Sequence, residues 1–414
     1  MIQVQKSRSS IIGAAIAAAA LSLPFSGSAL AESAPEKGVV SFRYLNYQDS
    51  QTNQDRISVN AYSIHGMAPI DEKWSVDVTA TYDSVSGASP SFHNTFPAAT
   101  PVVVTSASGG SSSSSISGEQ RQALNMGLTH YFTRGTLTLG TSYSSESDYS
   151  SAGLSLQGSF YVSDNKNTML TLGGSYTHDT IEPNYGGSSG GGDDEGEGID
   201  DAIVSTTTSF TENKDIVAGL VGITQVMTKN DIIQVNFGYS HGTGFYSDPY
   251  KLNDSRPRKR DFKTMLVRWN HYIEPLGGAA RFSYRYYTDT FGIDSQTFGI
   301  DYAQALPADI TLTPSVRFYS QSTADFYIPA DPSLLPSAPD VTTLAFSSFD
   351  QRLSAFGAVT LGLKVQKKFE DGWTVDIRFD RYMQRYDWGI NGKGDPNIAD
   401  FNASFIQLGV TTEF

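Results

Sequence analysis

Apolar and polar residues change places at every second position along most of this 414-residue chain, and that period is the strongest constraint on its fold. Trp74, Val76, Val78, Ala80 and Tyr82 fall on one side of an extended strand, with Ser75, Asp77, Thr79, Thr81 and Asp83 on the other. A segment with one apolar and one hydrated face suits a strand of period 2 and not a helix of period 3.6. The last fourteen residues read the same way. Ile406, Leu408, Val410, Thr412 and Phe414 share one side; Phe405, Gln407, Gly409, Thr411 and Glu413 share the other.

The amino terminus supplies an address. Lys6 and Arg8 precede an alanine-rich apolar run from Ile11 to Leu23, and Ala29-Leu30-Ala31 offers small residues where signal peptidase cleaves. Residues 1–31 are therefore expected to be a cleaved signal peptide, leaving 32–414 as a single mature domain. No later segment carries the roughly 18 uninterrupted apolar residues of a membrane helix. An exported chain without such a span is soluble outside the cytoplasm, or it crosses a membrane as a barrel.

Connections decide between these. Strands are expected near 39–48, 56–64, 74–82, 120–132, 136–144, 152–162, 168–178, 214–227, 231–241, 262–272, 279–288, 296–305, 310–320, 351–364, 373–386 and 402–414. Tight turns at 133–135, 163–167, 228–231, 275–278, 307–309 and 366–372 alternate with longer polar loops at 84–118, 179–213, 242–261, 321–350 and 387–401. With the mature amino terminus in the periplasm, the tight turns fall on that side and the long loops outside, which is the asymmetry of outer-membrane barrels. The expected fold is all-β: a transmembrane antiparallel up-and-down β-barrel, porin-like, of about sixteen strands with fourteen as the alternative count.

Composition agrees. Aromatics at 12% suit interfacial girdles, and 38 glycines suit small lumen-facing positions. The absence of cysteine fits a chain that crosses the periplasm unfolded. An aromatic residue closing a terminal strand resembles the assembly signal read by the barrel-assembly machinery, with Leu408, Val410, Thr412 and Phe414 in the signal positions. Asp83-Ser-Val-Ser-Gly-Ala-Ser-Pro90, Ile116-Ser-Gly-Glu-Gln-Arg121 and Ser145-Glu-Ser-Asp-Tyr-Ser150 resemble a Gram-negative outer-membrane family known as domain of unknown function 3570. The resemblance covers most of the mature chain and implies a β-barrel without an assigned activity. This chain departs from it by a serine-rich insert at 91–118 and a Gly/Asp insert near 186–201.

Several clusters could carry chemistry. Asp193, Asp194, Glu195, Glu197, Asp200 and Asp201 crowd one glycine-rich loop and form a weak candidate for a divalent cation, but the spacing matches no EF-hand and a solvated loop explains it as well. Lys251, Arg256, Arg258, Lys259 and Arg260 make a basic outer loop for which lipopolysaccharide phosphates are natural counter-ions, with ordinary surface charge as an equal alternative. His178-Asp179 and Ser240-His241 near the outer ends of strands admit a rim hydrolase as a second alternative. No nucleotide loop, zinc motif or nucleic-acid motif occurs, no cofactor is expected, and the chain is not expected to be an enzyme. By alternation, Arg268, Arg281, Arg285, Arg317, Arg352 and Arg378 point inward along one wall. Asp77 and Asp83 lie on a distant strand, and Asp301, Asp376 and Asp380 are interspersed with the arginines. Buried charge needs water or partners, so these residues imply a wet lumen or a paired network across it.

The expected function is a passive outer-membrane channel for small hydrophilic solutes, in contact with outer-membrane lipid and lipopolysaccharide, with a homo-trimer as the candidate oligomer. The alternative is a plugged barrel serving as a surface binding or scaffold protein. The topology has a direct test, made clean by the absence of native cysteine. A single Cys at Ser113 or Gly190 reacts with an impermeant reagent on intact cells, whereas one at Asn165 or Asn230 reacts only after the outer membrane is opened. The reverse pattern would invert the barrel.

Overall fold

The computed structural model describes residues 33–51, 54–91, 103–106, 119–183, 210–249, 251, 253–329, 341 and 343–414. The expected signal peptide, most of the serine-rich insert and the acidic loop 193–201 lie outside them. The strands are β1 (Val39–Gln51), β2 (Gln54–Pro69), β3 (Trp74–Ser91), β4 (Val103–Ser106), β5 (Glu119–Phe132), β6 (Gly135–Ser145), β7 (Tyr149–Tyr161), β8 (Thr168–Ile181) and β9 (Glu212–Val226). They continue as β10 (Asp231–Gly244), β11 (Lys259–Ile273), β12 (Gly278–Asp289), β13 (Asp294–Leu306), β14 (Ile310–Gln321), β15 (Phe356–Lys368), β16 (Trp373–Arg385) and β17 (Phe401–Glu413). Each strand of the wall pairs antiparallel with its neighbours, and β1 pairs with both β2 and β17. The result is a closed 16-stranded up-and-down barrel. The short β4 stands outside this wall, pairing only with the overhanging end of β3.

Alternation sorts every strand into two faces. Val375, Ile377 and Phe379 of β16, Leu361 and Leu363 of β15, and Ile406 and Leu408 of β17 are exposed on the outside. Their sequence neighbours Asp376, Arg378, Asp380, Gly362, Lys364 and Gln407 point inward. An exposed apolar surface of this extent has its solvent in hydrocarbon, and closure leaves no unpaired edge inside it. Aromatic residues mark its limits. Trp74, Trp269 and Trp373 lie at the turn ends of their strands, while Tyr143, Tyr176 and Tyr239 face outward nearer the opposite rim. These are the two interfacial girdles of a transmembrane barrel. Among the described residues no helix is long and apolar enough to cross a membrane.

The seven connections on the side of Val39 and Glu413 are all short. Local chemistry accounts for several: Asp71 accepts from the backbone N–H groups of Lys73 and Trp74 at 2.7 and 2.8 Å. Thr228 donates to Asp231 at 2.5 Å, and Gly277 and Gly372 adopt φ of 61° and 82°, which a side chain would disfavour. The other side carries the long loops, but not them alone. The connections β1–β2, β6–β7 and β12–β13 are also hairpins of a few residues there. Two further boundaries differ from expectation: β3 runs on to Ser91, and β15 begins at Phe356 because Gln351–Leu353 forms a 3-10 turn capped by Asp350.

Leu408 sits midway along the apolar side of β17, opposite Tyr44 and Ile377. Leu408→Arg should destabilise the barrel by about 2–4 kcal/mol, as a cation at the bilayer midplane does, whereas Gln407→Arg on the inner face should cost far less. Urea unfolding of the refolded protein in phospholipid, followed by heat-modifiable gel mobility, measures both. Equal costs would contradict the assignment of faces.

Candidate functional site in the lumen and its outer cap

The inner wall has two unlike halves. On β6, β7 and β8 the inward positions are Thr138, Gly140, Ser142, Gly153, Ser155, Gly173 and Ser175. Serine hydroxyls lie over neighbouring glycines, Ser155 over Gly140 and Ser142 over Gly153, so the middle of this stretch is lined by small, uncharged groups, with Asp179 toward the outer end paired to Lys214. From β11 to β16 the inward side chains are long and charged. Arg268, Arg281, Arg285, Arg317 and Arg378 all lie there, on strands from one contiguous stretch of the wall. Asp77 and Asp83 project from β3, far round the wall. Asp83 is taken up by Arg121 at 2.6 Å, and Asp77 stands over Gly127.

Most lumen cations have a carboxylate on an adjacent strand or two residues along their own. Arg281 pairs with Asp301, Arg378 with Asp380 at 2.6 Å, and Asp376 receives Lys364 at 3.3 Å and Arg43 at 3.9 Å. Arg260 donates to Asp289 at 2.9 Å and lies 4.5 Å over the Phe291 ring. Gly409 leaves room for the Asp376 carboxylate on the neighbouring strand. Lys364 and Arg43 escaped the sequence analysis, although their parity on expected strands would have found them.

Arg352 is not on the wall. It lies on the 3-10 turn before β15, inside a folded cap built from the β10–β11, β14–β15 and β16–β17 connections and the β12–β13 hairpin. The cap has an apolar centre of Phe291, Ile293, Ala324, Phe326, Tyr327 and Leu353, against which Tyr246, Tyr287 and Ile398 pack. Backbone pairing of Ser255 with Ser347 joins two of the loops, and Tyr327 donates to Asp395 of the third at 3.0 Å. Beside this centre is a cluster of opposite charges. Arg256 makes a forked contact with Asp254 at 2.7 and 2.8 Å and reaches Asp350 at 3.0 Å. Asp350 also receives Arg352 and, at 3.5 Å, Lys251; Arg352 extends to Asp248 at 3.2 Å.

Three aspartates thus meet three cations, and the desolvation of each charge is offset only by its partners. Burial alone would raise the Asp350 carboxyl, but Arg352, Lys251 and Arg256 together hold it well below the usual range. For Asp248, burial outweighs Lys251 and Arg352 and pushes the carboxyl up. The basic loop is therefore largely turned inward. Arg256 is buried, Arg260 serves the wall, and Arg258 is engaged by Glu212 at 2.5 Å. An open anion-binding surface was expected there because the aspartates that neutralise it are distant in sequence.

Alternation also separates the residues of the imagined rim hydrolase. His241 faces outward against Asp261 at 2.5 Å, while Ser240 points inward and is fully buried. His178 likewise faces outward with Asp215 at 2.8 Å, and Asp179 points inward to Lys214 at 2.8 Å. Each sequence pair straddles the wall and cannot share a reacting atom. The strand of the expected assembly signal closes the barrel: Phe414 exchanges backbone hydrogen bonds with Gly38 at 3.0 Å, and Thr412 pairs with Val40 and Trp373.

A profile of the family "Protein of unknown function (DUF3570)" matches residues 13–405, and the chain belongs to that family. A search of the curated proteins finds no match. Among solved structures, the siderophore receptor PirA from Pseudomonas aeruginosa aligns over 91% of this chain and 63% of its own, at 10% identity and TM-score 0.39. CdiB from Acinetobacter baumannii aligns over 89% and 60%, at 9% identity and TM-score 0.47. This chain thus spans about three fifths of the length of either. OccK1 of Pseudomonas aeruginosa aligns over 91% of this chain and 98% of its own, at 8% identity and TM-score 0.42. Likeness at this level does not bear on what passes through the barrel.

The cap has its own test. Asp350→Asn removes the shared acceptor of three cations and should cost about 3–5 kcal/mol in the cap. Amides of Ser255, Ile328 and Ser347 should then exchange with deuterium at neutral pH far faster than in the parent. In the parent, the depressed Asp350 keeps its contribution above the ordinary carboxylate range and loses it only as pH falls through its lower folded value. Protection in the parent, corrected for the intrinsic slowing of exchange in acid, should therefore outlast the ordinary carboxylate range as far as Asp350 is concerned, and protection unchanged in the variant at neutral pH would remove Asp350 from the role of keystone.

Proposed function

We propose that this member of family 3570 is a passive channel of the Gram-negative outer membrane for small hydrophilic solutes, and that it is not an enzyme. The observation that carries the reading is the contrast between the two faces of the wall: apolar side chains outside, and Ser, Thr, Gly and charged side chains inside. A lumen that served only to be packed would hold interlocking apolar layers, as small barrels do. Sixteen strands enclose more space than wall side chains can fill.

The cap favours a particular path. Its described loops leave from strands of the charged half, which supports a route beside the hydroxyl-lined wall of β6–β8. Export by the amino-terminal signal, insertion by the barrel-assembly machinery and contact with lipopolysaccharide complete this reading. The runner-up, a plugged surface scaffold, draws on the same cap. Single-channel recording of the refolded full-length protein in a planar bilayer separates them. Stable ohmic steps in molar KCl are expected, enlarged or noisier in Asp350→Asn as the cap loosens. Silence from a correctly folded, membrane-inserted protein would sink the channel and leave the scaffold.

A further inference from the structure

Three inward arginines break the pairing pattern. Arg43, Arg121, Arg260, Arg281 and Arg378 each have a carboxylate within 4 Å. Among the described residues, Arg268, Arg285 and Arg317 have neither an ion pair nor a side-chain hydrogen bond. They are also neighbours: Arg285 feels the repulsion of both Arg268 and Arg317. A fold that neutralises nearly every other lumen arginine here leaves three cations facing one another.

The register gives this group a shape. Arg268 of β11 lies opposite Ser283 of β12, Ser283 opposite Gly299 of β13, and Gly299 opposite Arg317 of β14. Two long cations therefore flank two small residues, and Ser283 extends its hydroxyl over Gly299. Arg285 stands one inward position further along β12. The flanking backbones are three strand spacings apart, about 14 Å, which leaves a recess between guanidiniums that can converge on a small molecule. In the next inward row toward the turns, Asp301 pairs with Arg281 and attracts Arg268 and Arg378 only at longer range.

We propose that Arg268, Arg285 and Arg317, with the Ser283 hydroxyl on the floor, form a binding site for a small solute bearing two or more oxyanion groups. Guanidiniums suit carboxylate and phosphate alike because each presents parallel N–H donors to two oxygens. One monovalent anion would leave most of the mutual repulsion in place, whereas a polyanion relieves it. The site deepens the channel reading by naming its solute class, but binding does not require conduction.

Isothermal titration of the refolded, detergent-solubilised full chain tests it, with citrate, pyrophosphate and acetate as probes in low salt. Citrate or pyrophosphate should bind at least tenfold more tightly than acetate, and whichever of the two binds better tells carboxylate from phosphate. Each of Arg268→Gln, Arg285→Gln and Arg317→Gln should weaken that binding about tenfold, and the triple variant should lose it. Gly299→Leu, which fills the floor and removes no charge, should weaken it too. Arg121→Gln, across the barrel, should change it less than twofold. All variants are first checked for heat-modifiable folding. Polyanions binding no better than acetate, or undiminished binding to the triple variant, would overturn the site. Binding without conductance would keep the site and discard the channel; conductance without binding would do the opposite.

Discussion

Every backbone N–H and C=O that this wall carries into hydrocarbon must find its partner inside the wall, because no water is there to supply one. The ladder between β1 and β17, unbroken from Val39 opposite Glu413 to Gln51 opposite Phe401, is where that requirement is met for the sheet as a whole. Without it two strands would present open edges to lipid. With it, each residue has only two directions left, and the alternation along the strand decides between them. The identity of the outward residues, the girdles of Trp and Tyr and the lumen charges all follow from that closed register.

Closure also sets how the lumen handles charge. An inward side chain can reach the strands beside it, the next one over where a small residue such as Gly409 intervenes, a residue two along its own strand, or whatever folds in from above. The sequence places carboxylates within that reach: Asp301 one strand from Arg281, Asp376 between Lys364 and Arg43, and Asp380 two residues from Arg378. Where no carboxylate is in reach, as around Arg285, the charge must be met by water or by something that enters with water. Thus the lumen chemistry is local on the wall even though the barrel is assembled from residues hundreds of positions apart.

The wall was legible because its signal is local. Period 2 and the short turns place all sixteen wall strands without any knowledge of what touches what, and parity alone predicts that Arg268, Arg281, Arg285, Arg317 and Arg378 share a face. The cap was not legible for the opposite reason. Arg256 meets Asp350 across 94 residues and Arg352 meets Asp248 across 104, and nothing in the spacing of a polar loop announces such a contact. Arg352 looked like a wall residue because Leu353 and Ala355 continue the alternation backward past the true start of β15. Ser240 and His241 looked like partners because adjacency in sequence is easily mistaken for adjacency in space, which a strand forbids.

The two halves of the barrel answer each other. Bulky, charged side chains line β11 to β16, and the loops that fold into the cap rise from the same side. Hydroxyls and glycines line β6 to β8, where wall side chains project little. Long side chains and a cap on one side narrow the lumen from that side. The cationic wall faces one lined mostly by small hydroxyls. On the proposed reading, a solute between them would be drawn to one side by charge and meet mostly small hydroxyls on the other, so an anion would be held against β11–β14 without a matching wall to trap it. That asymmetry is what a weak, reversible site in an aqueous path requires.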